Sequence, residues 1–354
     1  MKKLRIAQLA PLWESVPPKK YGGIEIMIDK ITNELVNRGH DVTLFASGNS
    51  KNKAKLMSVY PVSLFESGID WFHRSQNLIN AANAFKNAGN FDVIHSHMGD
   101  NALFFSQITK TPMVTTLHNV LPAEKQSSSD EYITYEYYAQ KTNFVSISFN
   151  QRTHTDIGLN YINTVYNGID IGDFDFQAKP TNHLAWLGRI HYGKGLFEAV
   201  SVAKKTKSKL VAAGNITCKS DEDYFNTVKP NIDGKNIKYI GEVGSAEKSK
   251  LLGESKALLF PIKWEEPFGL VMIEAMACGT PVIAFKRGSV PEIVKDGVTG
   301  FVVENEKEMA AAIKKIGKID RLECRRHVEK YFTIGRMVDE YEKVYGQVIN
   351  NKAV

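Results

Sequence analysis

Residues 257–285 indicate how the chain folds, and they read ALLFPIKWEEPFGLVMIEAMACGTPVIAF. The stretch begins with the apolar run Ala257–Pro261 and ends with the apolar run Pro281–Phe285, each of the length and composition of a buried strand. Between them, Leu270–Ala277 has the pattern of a buried helix, and a proline and a glycine place a turn directly before it. A strand, a helix and a strand in succession predict a parallel sheet covered by helices.

The same alternation runs along the whole chain in two successive series. The first half contains the strand-like runs Leu4–Ala10, Val42–Ala46, Val93–Ile94, Met113–Leu117, Phe144–Ile147 and Thr164–Val165. The second half restarts the series with Leu184–Leu187, Leu210–Ala213 and Ile237–Ile240, followed by the two runs of the opening stretch. We therefore predict an α/β fold with two doubly wound, Rossmann-like domains that face each other across one ligand cleft.

The domain boundary falls in a stretch rich in Asp and Gly. We predict an N-terminal domain over 1–175 and a C-terminal domain over 176–334. The amphipathic pattern near the end predicts a helix within 335–354 that packs back on the N-terminal domain.

Composition excludes several classes of protein. The chain of 354 residues is 43% hydrophobic and 24% charged, which is typical of a globular protein. Its three cysteines lie far apart, which argues against a disulfide scaffold and favours the cytoplasm. The net charge is +6; residues 1–180 hold 17 basic and 17 acidic side chains, so the excess lies entirely in 181–354. A basic half suits an anionic partner, or is merely a solvated lysine-rich surface. Basic residues do not alternate with aromatic ones in a run, so no nucleic acid is expected.

Two carboxylates flank the turn that follows the strand Ala257–Pro261. Glu266 precedes the turn, and Glu274 lies in the helix after it. The backbone N–H groups at the start of a helix have no partner inside the helix and form a site suited to a phosphate. Here they belong to Phe268, Gly269, Leu270 and Val271. Because ligands of open parallel sheets bind beyond the carboxyl ends of strands, this stretch is expected to lie in the binding site.

Further candidates also follow strands. Arg189 offers a planar fork of donors and Lys194 a point charge, a pair that suits a diphosphate. Gly22 and Gly23 come after the first strand, where glycines permit a tight turn and close approach of the backbone to a ligand. His118 ends an apolar strand. Taken singly, each of these residues also fits an ordinary surface, loop or structural position, and spacing alone leaves that choice open.

Taken as a set, these residues resemble the retaining glycosyltransferases of the GT-B fold, specifically the large family 4 that includes sucrose and glycogen synthases. The family signature is a Glu, seven residues and a second Glu, with Pro-Phe-Gly after the first, and Glu266–Glu274 contains all of it. Other landmarks stand in the family's order: Gly22–Glu25, Thr116–Asn119, Tyr166–Asp170, Leu187–Arg189, Lys194–Gly195, Val290–Glu292 and Asp296–Phe301. The resemblance covers nearly the whole chain and is specific in the second half.

The resemblance implies that a hexosyl group is moved from a nucleotide-diphospho-sugar, UDP- or GDP-linked, to an acceptor hydroxyl with retention of configuration. Glu266 and His118 are implied as catalytic. The residues implied in donor binding are Gly22, Gly23, Arg189, Lys194, Asn215, Glu242, Val243, Phe268, Gly269, Leu270, Val271 and Glu274. Glu274 is expected to hold the ribose, and no cofactor or metal is expected because cations and N–H groups stabilise the leaving diphosphate.

Several alternatives stay open at this stage. Asp173-Phe174-Asp175 matches the metal-binding triplet of another glycosyltransferase fold, but two strand–helix series make chance the better interpretation. His95 and His97 lack an evident third metal ligand. Other functions for the same fold are a sugar-nucleotide epimerase, a phosphorylase or a non-catalytic glycan-binding module.

The acceptor is expected over the first domain, as a glycan, a lipid-linked molecule or a small molecule. Residues 127–129 and 132–138 are rich in Ser and Tyr and predict a polar, aromatic loop that lines its groove or is a mobile surface. Cell-envelope glycan assembly and peripheral contact with an anionic membrane are family-level expectations.

Overall fold

The structure is a computed structural model and describes residues 2–19, 22–69 and 74–351. Its strands are β1 (Arg5–Leu9), β2 (Asp41–Phe45), β3 (Lys55–Met57), β4 (Val93–Ser96), β5 (Met113–Leu117), β6 (Asn143–Ser146), β7 (Tyr161–Thr164), β8 (His183–Leu187), β9 (Lys209–Ala213), β10 (Ile237–Tyr239), β11 (Leu258–Phe260), β12 (Val282–Phe285) and β13 (Gly300–Val303). Its α-helices are α1 (Gly23–Asn37), α2 (Ser75–Lys86), α3 (Asp130–Tyr138), α4 (Leu196–Lys205), α5 (Lys219–Val228), α6 (Ser245–Glu254), α7 (Leu270–Ala277), α8 (Val290–Ile293), α9 (Glu306–Lys315), α10 (Arg321–Tyr331) and α11 (Ile334–Asn351).

The strands form two parallel sheets. The first has the order β3-β2-β1-β4-β5-β6-β7 and the second the order β10-β9-β8-β11-β12-β13. Neighbouring strands are parallel throughout, for example with Ile6 opposite Val42 and Val93. Both sheets are doubly wound, so the predicted pair of Rossmann-like α/β domains is confirmed.

The central strands are buried on both faces, which explains why they are continuous apolar runs rather than alternating ones. Ile6, Ile94 and Val114 in the first sheet, and Leu184 and Leu258 in the second, have almost no exposed surface. Helices cover these faces with apolar stripes spaced three or four residues apart. In α1 the buried stripe includes Met27, Ile28, Ile31 and Leu35.

The chain divides into two compact units, Met1–Gly168 with Ile334–Val354, and Ile169–Thr333. The change from one unit to the other thus lies at Gly168–Ile169, earlier than the boundary of 175/176 expected from the sequence. Among the described residues, no helix has the length and the apolarity that crossing a membrane requires.

The last helix, α11, belongs to the first unit. Its Tyr341 and Tyr345 are fully buried there. Arg38, just after α1, donates to the carboxylates of Asp339 and Glu342 at 2.7 and 2.6 Å. Polar and apolar contacts thus both hold α11 in this unit; residues 352–354 of the segment expected to form this helix lie outside the described ranges.

One expectation about the first unit is wrong. Residues 132–138 are not a loop but part of the helix α3. Ser129 caps this helix, since its hydroxyl oxygen accepts a hydrogen bond from the Tyr132 N–H at 3.2 Å. Asp130 and Glu131 place negative charge in the first turn, where a helix favours it. Tyr132 and Tyr135 lie three residues apart and are buried on one face of the helix. The loop was predicted from the Ser- and Tyr-rich composition rather than from this helical spacing.

Candidate functional site

In the second unit, the predicted residues gather where the strand order reverses. The reversal lies between β8 and β11, which are neighbours in the sheet although they are distant in sequence. Arg189 follows the end of β8, and Glu266 follows the end of β11. The carboxyl ends of strands at such a reversal form the usual ligand crevice of this architecture.

Glu266 is held in place by two donors. The Lys194 ammonium lies 2.5 Å from its Oε2, and the Trp264 indole Nε1 donates to the same oxygen at 2.9 Å. The Lys194 nitrogen also lies 4.9 Å from the centre of the Trp264 ring. Only 8% of the Glu266 surface is exposed, so its carboxylate is oriented by these partners rather than by solvent. Both of these contacts are made to Oε2.

The turn before α7 depends on Gly269. This residue caps the helix with φ 79° and ψ 66°, a left-handed conformation that favours glycine. A Cβ at this position would lie 2.7 Å from the Met272 side chain and 3.4 Å from Cγ of Glu266. The glycine therefore allows the helix to begin directly behind Glu266. The N–H groups of Leu270 and Val271 are in the first turn, where the helix itself supplies no acceptor.

Glu274 lies in the same helix and is buried. Its carboxylate pairs with the Lys248 ammonium of α6. That ammonium lies 5.6 Å from the centre of the Phe174 ring. The ion pair fixes the direction of the carboxylate, which is a geometry suited to accepting hydrogen bonds from hydroxyl groups.

Arg189 is anchored by Asp221 of α5. Its Nε donates to Oδ2 at 2.8 Å and its Nη2 to Oδ1 at 3.2 Å, and the Asp221 side chain has no exposed surface. These hydrogen bonds raise the pKa of Arg189 above its ordinary value. One edge of the guanidinium is thereby held while a third of the side chain is exposed, so a fixed cation is presented beyond β8.

Three further residues predicted in donor binding follow β9 and β10. Asn215 comes just after β9, and its carbonyl oxygen accepts from the Ile190 N–H at 2.8 Å. Glu242 is exposed and Val243 is half-buried, both after β10. The Gly214 N–H donates to the Gly241 carbonyl at 2.8 Å, which ties these two loops to each other.

In the first unit, the strand order reverses between β1 and β4. Gly22 caps α1, and Gly23 is its first residue. A Cβ on Gly22 would lie 2.8 Å from Cβ of Pro18 and 3.1 Å from Oε2 of Glu25, so this loop has room for glycine only. Glu25 is buried in the first turn of the helix, and burial raises its pKa to about 7.

The raised pKa of Glu25 predicts a pH-dependent stability. The folded state holds this proton more tightly than the unfolded state, so the free energy of unfolding decreases as pH rises from about 4.5 to about 7. A change of this size corresponds to roughly 3 kcal/mol. Glu25→Gln is expected to reduce the change in the free energy of unfolding between pH 4.5 and 7 and to raise the melting temperature at pH 8. Urea unfolding at several pH values measures the free energy of unfolding, and Glu34→Gln is the control. If the free energy of unfolding depends on pH equally in Glu25→Gln and in wild type, the assignment to Glu25 is contradicted.

His118 lines a pocket of about 140 Å³ in the first unit. Burial lowers the pKa of His118 to about 4, so its ring is neutral at physiological pH. Its Nε2 lies 2.9 Å from Nδ1 of His97. Asp100 and Glu131 also line the pocket. Within the described ranges, no three His, Cys, Asp or Glu side chains are grouped as the ligands of a metal ion are.

Sequence reasoning missed the partners of the predicted residues. Trp264 is two residues from Glu266, so its proximity was available as a signal. Asp221 and Lys248 lie on α5 and α6, far from any motif in sequence, and only the fold brings them to Arg189 and Glu274. The pocket side chains Asp100 and Glu131 likewise come from separate segments.

Comparison with protein families gives two adjacent matches. Residues 21–173 match the family described as Glycosyltransferase Family 4, and residues 174–332 match Glycosyl transferases group 1. Among curated relatives, an N-acetyl-alpha-D-glucosaminyl L-malate synthase of Bacillus anthracis is 24% identical over 93% of this chain and 95% of its own.

Solved structures share the fold at low sequence identity. Sucrose-phosphate synthase of Thermosynechococcus elongatus superposes with a TM-score of 0.80 at 19% identity, covering 99% of this chain and 100% of its own. Anabaena HepE in complex with UDP-glucose superposes with a TM-score of 0.73 at 17% identity, covering 97% of this chain and 100% of its own.

Proposed function

Because this chain belongs to the group 1 glycosyltransferases of the GT-B fold, we propose that it moves a hexosyl group from a UDP- or GDP-sugar to an acceptor hydroxyl. The observation that carries the proposal is the arrangement beyond β8 and β11. The strand order of the second sheet reverses there. At this point lie the Glu266 carboxylate, which Lys194 and Trp264 hold, the anchored Arg189 and the start of α7. The UDP-glucose complex of a structural neighbour supports the class of donor.

The proposed reaction breaks the bond between the anomeric carbon and the oxygen of the diphosphate. The electron pair stays on that oxygen, so negative charge develops on the leaving group. Arg189, Lys194 and the N–H groups of Leu270 and Val271 are assigned to stabilise this charge. These fixed donors need no metal ion to perform that task, and we propose a metal-independent mechanism.

We assign retention of configuration to attack on the same face of the sugar. The acceptor oxygen forms its bond to the anomeric carbon from the side that the phosphate leaves, and the leaving phosphate oxygen accepts the acceptor's proton. The sugar acquires oxocarbenium character in the transition state, as in glycoside hydrolysis. The Glu266 carboxylate is assigned to stabilise that positive charge, while Glu274 accepts hydrogen bonds from the ribose. In the first unit, Gly22, Gly23 and His118 are assigned to contact the donor.

The pocket in the first unit suits a substrate that carries hydroxyl groups. Asp100 and Glu131 line it, and Arg74 pairs with Asp100 at 2.5 Å. Carboxylate oxygens accept hydrogen bonds from hydroxyl groups. We therefore propose that substrate hydroxyl groups bind in this pocket.

A donor panel tests the proposal. Thermal shift and donor hydrolysis are measured with uridine, guanosine and adenosine diphospho-sugars. One uridine or guanosine donor is expected to raise the melting temperature and to be hydrolysed slowly, with release of its nucleoside diphosphate. Absence of any shift with all donors contradicts the proposal. Epimerised sugar released without acceptor, or sugar phosphate formed with inorganic phosphate, would instead support an epimerase or a phosphorylase.

The contact of Trp264 with Glu266 predicts a mutant phenotype. Trp264→Phe keeps an aromatic ring near Lys194 but removes the Nε1 donor, so the Glu266 carboxylate loses one of its two partners. A hydrogen bond to a charged group is worth about 1.5–3 kcal/mol, so kcat/KM is expected to fall at least about tenfold. The control is Tyr192→Phe, which alters an exposed aromatic side chain of the same unit. Unchanged kcat/KM for Trp264→Phe would show that the indole does not orient Glu266.

The location of the protein stays a prediction. A cytoplasmic site and peripheral contact with an anionic membrane rest on composition and resemblance, as does participation in cell-envelope glycan assembly. Sedimentation of the purified protein with vesicles of anionic and of neutral lipid distinguishes membrane contact from its absence.

A further inference from the structure

A line of hydrogen-bonded side chains crosses the core of the first unit and ends at the pocket. Its members come from β1, β4, β5, α11 and the ends of two of these strands. In order they are Thr116, His95, Tyr345, Gln8, His97 and His118. All except His118 are buried. In such a line each group that donates on one side accepts on the other, so the direction of one hydrogen bond sets the direction of the next.

Gln8 lies in the middle of this series of hydrogen bonds, and the orientation of its amide determines which atom donates in each of them. Its amide oxygen Oε1 lies 2.9 Å from Nε2 of His97, and its amide nitrogen lies 3.3 Å from the Tyr345 hydroxyl. A carbonyl oxygen accepts hydrogen bonds and cannot donate them. With the amide in this orientation, the hydrogen of this contact is on Nε2 of His97.

The position of that hydrogen determines the form of His118. Burial lowers the pKa of His97 well below its ordinary value, so its ring is neutral and carries one hydrogen. With that hydrogen on Nε2, Nδ1 of His97 is an acceptor. The contact of 2.9 Å to His118 then requires the hydrogen on Nε2 of His118. Since His118 is also neutral, its Nδ1 is left with a free lone pair.

The hydrogen bonds on the other side of Gln8 have donors and acceptors that are consistent with this assignment. The Tyr345 hydroxyl accepts from Gln8 and donates to Nδ1 of His95 at 2.8 Å. Nε2 of His95 then donates to the Thr116 hydroxyl at 2.8 Å. In the reversed orientation of the Gln8 amide, every one of these hydrogens would move to the opposite atom and His118 would carry its hydrogen on Nδ1, so the tautomer of His118 reports the orientation of Gln8.

We propose that Gln8 and His97 are positioning residues that hold His118 in its Nε2–H form, so that Nδ1 accepts a hydrogen bond from a substrate hydroxyl. His118 lines the pocket, and Nδ1 has no hydrogen-bond partner among the residues that the structure describes. The assignment of the hydroxyl to a sugar rests on the proposed function. The tautomer itself does not, and it is measured without any substrate.

Nitrogen NMR on protein labelled with ¹⁵N-histidine tests the proposal. The His118 signals are assigned by their loss in His118→Gln. Wild type is expected to show a protonated Nε2 and an unprotonated Nδ1 at His118. A hydrogen on Nδ1 of wild-type His118 would overturn the proposal, whatever the behaviour of any variant.

Two Gln8 variants test the cause. Gln8→Met preserves the size of the side chain but removes the acceptor, so His118 is expected to populate both tautomers. Gln8→Glu retains an oxygen acceptor for His97 and is expected to keep the Nε2–H form. Asn80→Ala is the control, because Asn80 is equally buried in the same unit but donates to the backbone oxygens of Ala10 and Phe45. A wild-type spectrum in folded Gln8→Met would overturn the positioning role.

Turnover gives a second readout once a donor is identified. Gln8→Met is expected to lower kcat/KM about tenfold, the loss expected for one hydrogen bond, while Gln8→Glu restores most of it. Equal activity of Gln8→Met and Asn80→Ala would contradict the positioning role. If no donor is turned over, the proposed function is contradicted, but the NMR result on the tautomer of His118 still stands. The two proposals can therefore be rejected independently.

Discussion

Glu266→Ala is expected to lower the rate of glycosyl transfer by about 10³-fold while the nucleoside diphosphate still binds. The reason is electrostatic, because the carboxylate is assigned to the positive charge that develops on the sugar in the transition state. Its environment is fixed by Lys194 at 2.5 Å and Trp264 at 2.9 Å, so no other described acidic side chain has the same two partners. Steady-state transfer and calorimetric titration with the nucleoside diphosphate measure the two effects separately.

The matched comparison is Glu266→Gln, which has the same size and can still accept from Trp264. We expect it to keep the melting temperature closer to wild type and to lose nearly as much activity as Glu266→Ala. Glu304→Ala, an exposed acidic residue of the same unit, controls for charge. Full activity of either Glu266 variant would contradict the catalytic assignment.

Arg189→Ala is expected to weaken binding of the nucleoside diphosphate by roughly 10- to 100-fold, since hydrogen bonds to a charged group contribute about 1.5–3 kcal/mol. Transfer falls at least as much, because the same guanidinium is assigned to the charge on the leaving group. The effect on binding distinguishes this residue from Glu266. Titration calorimetry with the nucleotide found in the donor panel measures it.

A second variant separates the guanidinium from its anchor. Asp221→Asn leaves the cation in place but removes the carboxylate that holds it at 2.8 Å, so a smaller loss of affinity is expected. Lys204→Ala removes a positive charge on α4 of the same unit and is expected to bind the nucleotide like wild type. If Lys204→Ala and Arg189→Ala weaken binding equally, net charge rather than a specific contact explains the affinity.

The sequence predicted the fold well where apolar runs are strong. Buried strands such as Met113–Leu117 and buried helices such as Leu270–Ala277 have the same bounds in the structure. The short strand β3 was missed, because its residues are mostly exposed and no apolar run marks it. The helix α5 was missed for a similar reason, since it is polar and buries few of its residues.

The candidate site was predictable only as a set of motifs. Residues after strands were found because this architecture places ligands there, and Glu266 and Arg189 indeed follow neighbouring strands. Their roles stay predictions. The contacts that orient them were not predictable, because Asp221 and Lys248 carry no local signal and become relevant only after folding. The network behind His118 is a further example, since the sequence shows His95 and His97 only as two histidines without an evident third metal ligand and does not show that they contact Thr116 and His118.

The place of α11 has a consequence for the order in which the protein matures on the ribosome. The first unit begins at the N-terminus, yet Tyr341, Tyr345 and the partners of Arg38 are supplied by residues translated after the whole second unit. Domains usually fold in the order in which they emerge. Here the apolar surface of the first unit that α11 covers stays exposed until α11 has been translated. Ile169–Thr333, in contrast, is a continuous segment that can fold as soon as it emerges.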